Sequence, residues 1–91
     1  MKRIGNVGKK WLLTRDKWLE QNKAPYYFCY YCDKMMTRTE LTLDHKKSRS
    51  RYPELRFKLS NLVPSCYPCN QEKGSLDSEE FLRLKRGLKD G

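Results

Sequence analysis

Four cysteines and one Asp-His pair are the residues of this chain best suited to chemistry. Cys29 and Cys32 form one Cys-x-x-Cys pair and Cys66 and Cys69 form another, with 33 residues between them. A two-residue gap lets two thiolates reach one tetrahedral ion, and two such pairs fill all four of its positions. The spacing predicts a zinc ion held by Cys29, Cys32, Cys66 and Cys69. A tetrahedron closed by four sulfurs leaves no place for water, so that zinc is expected to be structural. Between the pairs lies Leu41-Thr42-Leu43-Asp44-His45, which holds the only histidine of the chain. Leu41 and Leu43 alternate with Thr42, the pattern of a short half-buried strand. Neighbours on a strand point to opposite faces unless the chain bends. Asp44 and His45 can then serve two partners at one place, such as a metal and a water. Taken alone, an Asp-His at a strand end is an ordinary surface feature, and its surroundings must decide.

The elements that would position these groups can be read in order. Residues 1–10 carry Lys2, Arg3, Lys9 and Lys10 with two glycines, and read as a basic arm that tracks phosphates or as a frayed terminus. Residues 11–24 are a helical lead-in. Its helix is expected over Thr14 to Asn22, with Thr14 as N-cap and with Leu12, Trp18, Leu19 and Trp11 turned inward. Pro25 ends it. Tyr26 to Cys32 is rich in β-formers, and a Cys-x-x-Cys at the turn of an irregular hairpin has the shape of a zinc knuckle. Residues 46–60 hold six basic residues and one acidic one. They form a long loop, pinned by Leu55, Phe57 and Leu59. Leu62 to Cys66 reads as a second strand. A helix follows from Tyr67, with Pro68 in its first turn and Gly74 at its end. A last amphipathic helix over 77–89 starts with a capping box of Asp77 and Glu80, and Phe81, Leu82, Leu84 and Leu88 form its apolar side.

Composition narrows the class. A chain of 91 residues with 37% hydrophobic and 34% charged residues is one domain with a marginal core, and a metal staple is expected. The net charge is +9. Such an excess favours a polyanion or an anionic surface, although simple solubility accounts for it equally well. No apolar run approaches the roughly 18 residues of a membrane span. The basic N-terminus lacks the apolar stretch of a secretory signal. The expectation is an intracellular protein with no membrane partner, in whose reducing setting the cysteine pairs are metal ligands rather than disulfides. Closing both pairs on one ion would lay strand 41–45 beside strand 62–66, with the helix from Tyr67 over the hairpin. Asp44, His45 and Asn70 can then converge, with Asn61 in the turn leading to the second strand.

With Leu43-Asp44-His45, Asn61-Leu62 and Cys66-Tyr67-Pro68-Cys69-Asn70-Gln71-Glu72-Lys73-Gly74 in this order between two Cys-x-x-Cys pairs, the chain resembles the HNH endonuclease family, in the variant whose third motif residue is Asn. The resemblance covers residues 27–75. It implies an α+β fold: a small ββα-metal core, stapled here by the four-cysteine zinc knuckle and flanked by N- and C-terminal helices. It also implies cleavage of phosphodiester bonds with a divalent cation. His45 would be the general base, Asp44 and Asn70 would hold the catalytic ion, and Asn61 would order the loop and position His45. Asn70 stands where many relatives have His. An all-oxygen protein ligand set favours Mg²⁺ or Mn²⁺. The chemistry is consistent on its own terms, since an imidazole is largely neutral at pH 7 and can take a proton from water. DNA is the expected partner, held mostly by its backbone through Lys46, Lys47, Arg49 and Arg51, with Lys73 as a further phosphate contact or a plain surface lysine. By resemblance the setting is a phage or mobile element, with a DNA-packaging protein as a possible partner.

Two other functions fit parts of the pattern. A zinc-stapled nucleic-acid-binding module without catalysis needs the basic loop and the zinc, but not Asp44, His45 and Asn70 together. A protein-interaction zinc finger leaves the positive charge unexplained.

Overall fold

The computed structural model describes residues 3–90, and the side chains of residues 8–87. Its first element is a helix, α1, over Arg3–Gln21. The arm expected over residues 1–10 is therefore helical from Arg3, while Met1 and Lys2 lie outside the described residues. Thr14 is in mid-helix and no N-cap: its hydroxyl donates to the Lys10 carbonyl one turn back, at 2.9 Å. The reason is tertiary. Gly8 costs about 1 kcal/mol against alanine in a helix, but Trp18 and Leu19 are buried and Trp11 packs against the core. Burying one side chain such as Leu19 contributes about 1.5–3 kcal/mol, enough to outweigh that cost. Leu12 is exposed, not inward. Asn22 ends the helix by donating its side-chain amide to the Trp18 carbonyl at 2.8 Å and its backbone N–H to that of Leu19 at 3.2 Å.

A short hairpin follows, β1 (Tyr27–Phe28) with β2 (Met35–Met36), in the register Tyr27 to Met36 and Phe28 to Met35. Tyr27 and Met36 face the core, and Phe28 and Met35 face out. The turn between them carries Cys29 and Cys32. It closes through the Asp33 N–H to the Cys29 carbonyl and the Cys29 N–H to the Lys34 carbonyl, both at 2.9 Å. Asp33 has φ +64 there, a left-handed conformation that a short polar side chain tolerates.

The second hairpin pairs β3 (Thr42–His45) with β4 (Leu62–Ser65), antiparallel, with Asp44 opposite Val63 and His45 opposite Leu62. The loop between them contains two 3₁₀ turns, Pro53–Leu55 and Leu59–Asn61. Leu55, Phe57 and Leu59 are half-buried. Helix α2 (Tyr67–Lys73) leaves β4 at once, with Pro68 in its first turn. It stops at Gly74, whose φ of +57 strains any residue with a Cβ. Strands β3 and β4 with α2 make a ββα unit.

Helix α3 (Ser78–Asp90) begins after a one-sided capping box: the Asp77 N–H donates to Glu80 at 2.9 Å. The Asp77 carboxylate instead accepts the Ser48 N–H, at 2.7 Å. Phe81 anchors α3, its ring edge-on to Tyr31 at 5.1 Å, and Leu76 and Leu82 pack beside it. Leu84, expected on the apolar side, is exposed, and the side chain of Leu88 lies outside the described residues. The protein is thus α+β: the described residues form three α-helices and two small antiparallel sheets, with the cysteines brought together. Among the described residues no helix is long and apolar enough to cross a membrane.

Candidate active site and cysteine centre

The knuckle between β1 and β2 brings Cys29 and Cys32 against Cys66 and Cys69 at the start of α2. The four sulfurs lie within 4.8 Å of one another. Cys29, Cys66 and Cys69 are buried and Cys32 is exposed. An ion with about 2.3 Å bonds to four sulfurs at tetrahedral angles needs sulfurs roughly 3.8 Å apart. Cys32 Sγ and Cys66 Sγ are 3.8 Å apart. Burial opposes ionisation of Cys29, but backbone hydrogen bonds from Cys66, Tyr31 and Cys32 outweigh it and bring the thiol down to about 7. Burial and the neighbouring sulfurs push Cys69 up. Four soft donors at these distances fit a metal such as zinc.

The second group sits where β3 meets α2. Asp44 and His45 line a cavity of about 300 Å³ together with Asn70 and Lys73 of α2, Arg49 and Gly74. His45 is half-buried. Its Nε2 lies 2.8 Å from the Arg56 carbonyl. A carbonyl only accepts, so in the neutral ring Nε2 carries the proton and Nδ1 the lone pair. Burial lowers the His45 pKa below its ordinary value, and the charges of Arg49 and Lys73 act in the same direction. Trp11 of α1 lies beside the imidazole, with ring centroids 5.4 Å apart.

Asn61 joins both ends of the basic loop. Its Oδ1 accepts the Lys47 N–H at 2.9 Å, and its Nδ2 donates to the carbonyls of Lys47 and Leu55 at 3.1 and 3.3 Å. Its own carbonyl accepts the Lys46 N–H at 2.8 Å. The residue is buried. Asn70 donates Nδ2 to the Thr42 hydroxyl at 3.1 Å, and that hydroxyl donates to the Ser65 carbonyl at 2.6 Å. The amide is thereby oriented, with Oδ1 on the side away from Thr42.

Asp44 is buried and occupied. It accepts hydrogen bonds from the Tyr31 hydroxyl and from Lys73, whose Nζ is 3.1 Å from Oδ2. Lys73, expected as a phosphate contact or a plain surface lysine, is 3% exposed, and its ammonium pairs with Asp44. The other basic residues also divide. Arg49 stands at the cavity of His45. Lys46 and Lys47 line a separate depression with Lys58 and Asn61. Arg51 is bound to α3, 2.7 Å from Glu80 and 3.6 Å from Asp77. Tyr31, Trp11, Thr42 and the Arg56 carbonyl join the site only through the tertiary fold. For Tyr31 the signal was its place between Cys29 and Cys32, since a residue inside a knuckle that packs on the ββα unit must face it.

Strands β3 and β4 with α2 thus form a ββα unit with Asp-His at the end of β3 and the four-thiol centre at the start of α2. The family model described as HNH endonuclease matches residues 29–76, from the first cysteine to just beyond α2, and the chain belongs to the HNH endonuclease family. Neither the curated proteins nor the solved structures compared with the chain include a match. The family is one of nucleases and implies binding to nucleic acid. Helices α1 and α3 lie outside the matched residues except for the lead into α3.

Proposed function

We propose that the protein is a divalent-metal-dependent DNA endonuclease, nicking DNA or cutting both strands, with a structural zinc on Cys29, Cys32, Cys66 and Cys69. The observation that carries this reading is that His45, Asp44 and Asn70 line one cavity, while Asn61 holds the loop beside it. His45 Nδ1 takes a proton from the attacking water, and the Arg56 carbonyl keeps the ring in the tautomer that can do so. The water oxygen forms a bond to phosphorus as the bond to the 3′ oxygen breaks. Asp44 and Asn70 Oδ1 would hold Mg²⁺ or Mn²⁺, which when bound neutralises charge on the phosphate and the leaving oxygen. Their oxygen donors fit a hard cation. Arg49 is placed to hold the backbone at the cavity, and Lys46 and Lys47 to hold it further along.

The experiment is purified protein with supercoiled plasmid and a panel of divalent ions. Nicked or linear product that is lost with excess EDTA, and lost in His45→Ala, supports the proposal. One observation favours a second reading, a zinc-stapled DNA-binding module without catalysis: Asp44 is already neutralised by Lys73. Protein that binds DNA yet leaves plasmid intact in every ion would decide for that module.

A further inference from the structure

Asp44 is charge-balanced by the protein itself. Lys73 Nζ lies 3.1 Å from Oδ2 and 3.4 Å from Oδ1, and the two side chains are only 1% and 7% exposed. The Tyr31 phenol donates to Asp44 and shares a hydrogen bond of 2.6 Å with Ser78 Oγ. Burial, then the Asp44 carboxylate, keep that phenol protonated and donating. The cysteine knuckle and α2 thus both reach one carboxylate, and α3 supports it through Tyr31. The pair Asp44 and Lys73 sums to no net charge, and Asn70 adds a dipole but no charge. A cavity whose carboxylate is so balanced, with Arg49 also on its lining, attracts a divalent cation weakly, because every gain at Asp44 is opposed by the ammonium beside it.

We infer that Lys73 is an internal competitor for the divalent cation, so that the free protein binds the ion weakly and the DNA phosphate supplies the negative charge that completes the site. The inference rests on the proposed role of Asp44 as a metal ligand. It makes Lys73 a positioning residue that couples ion binding to substrate. By linkage, DNA raises the affinity for the ion by the factor by which the ion raises that for DNA. A neighbouring cation weakens the hold of a carboxylate on a proton by about one to three powers of ten. The same opposition applies to Mn²⁺.

The test is Mn²⁺ binding by zinc-loaded protein, read from the spin-resonance signal of free Mn²⁺, with and without a short DNA duplex. All proteins carry His45→Ala so that the duplex survives. Lys73→Met is expected to bind Mn²⁺ about tenfold or more tightly without DNA, and to gain less on adding the duplex. Lys73→Arg, which keeps the charge, is expected to stay near the parent. Should Lys73→Met not fold, Lys73→Gln removes the charge and still donates a hydrogen bond to Asp44, so it carries the same comparison. Mn²⁺ binding that is unchanged or weaker in the neutral variant overturns the inference, as does an equal gain in Lys73→Arg. The two readings fail separately. Wild-type protein that never nicks plasmid in any divalent ion removes the proposed function, whereas a nicking wild type whose neutral variant binds Mn²⁺ no tighter removes only the role of Lys73.

Discussion

The cysteine centre and the cavity at the end of β3 share α2, yet they hold charge in opposite ways. Among the described residues, the groups acting most strongly on the sulfurs are one another and a few backbone N–H groups, with no basic side chain among the main influences. Asp44 has one built in, Lys73 at 3.1 Å. A site that lacks its cation binds one firmly and becomes part of the fold. A site that carries its own can release and recruit an ion, as the proposed nuclease reaction would require. The difference predicts that damage to the first should cost stability and damage to the second should cost rate.

The largest effect is expected at the cysteines. Structural zinc contributes about 10 kcal/mol or more in small domains, comparable with the whole stability of a domain this size. Cys29→Ser or Cys66→Ser should therefore leave protein without a cooperative thermal transition, measured by circular dichroism. The same loss should follow acidification, because metal-bound thiolates reprotonate as pH falls. Elemental analysis of well-folded protein without zinc or another metal would break the comparison at its first term.

Next comes rate. His45→Ala should lower nicking by roughly 10²–10⁴-fold, with the thermal transition preserved, since the cysteines are untouched. Asp44→Ala and Asn70→Ala should also lose rate but recover part of it at raised Mn²⁺, while His45→Ala should not. Cleavage rate against metal concentration for the three variants separates ion binding from proton transfer. His45 must be neutral to act, and burial lowers its pKa below the ordinary 6.5. Rate should accordingly be flat near pH 7 and fall only as pH drops through a value below 6.5. A rate that declines from higher pH would show that the ring is not shielded as described.

Asn61 sharpens the comparison, because it serves the cavity by structure alone. Asn61→Ala removes three partly buried hydrogen bonds to the loop ends and should cost on the order of 1–3 kcal/mol, seen as a lower denaturation midpoint together with a slower rate. The smallest effect concerns the basic loop. Arg49→Ala should reduce the slope of log affinity against log salt by about 1, on any DNA sequence. Arg51→Ala should change it less, since Arg51 already pairs with Glu80 at 2.7 Å. Filter binding at several salt concentrations checks both.

What could be read from the chain directly is what depends on short spacing. Two residues between cysteines suffice to bring two sulfurs to one ion. Alternation at Leu41 and Leu43 marks β3, and Pro68 and Gly74 bound α2 because one lacks an N–H and the other tolerates positive φ. Once the cysteine pairs close, Asp44, His45 and Asn70 have little freedom to be elsewhere. The start of α1 is hidden in the sequence because Gly5 and Gly8 argue locally against a helix, and only the packing of Trp11, Trp18 and Leu19 on the core reverses that. The partners of Asp44 were hidden for a related reason. Tyr31 is 13 residues before it and Lys73 is 29 residues after it, and no periodicity links them. Lys73 sits where its helix turns toward the hairpin, so burial chose its partner: an ammonium taken out of water must face a carboxylate, and Asp44 is the one the fold brings within reach.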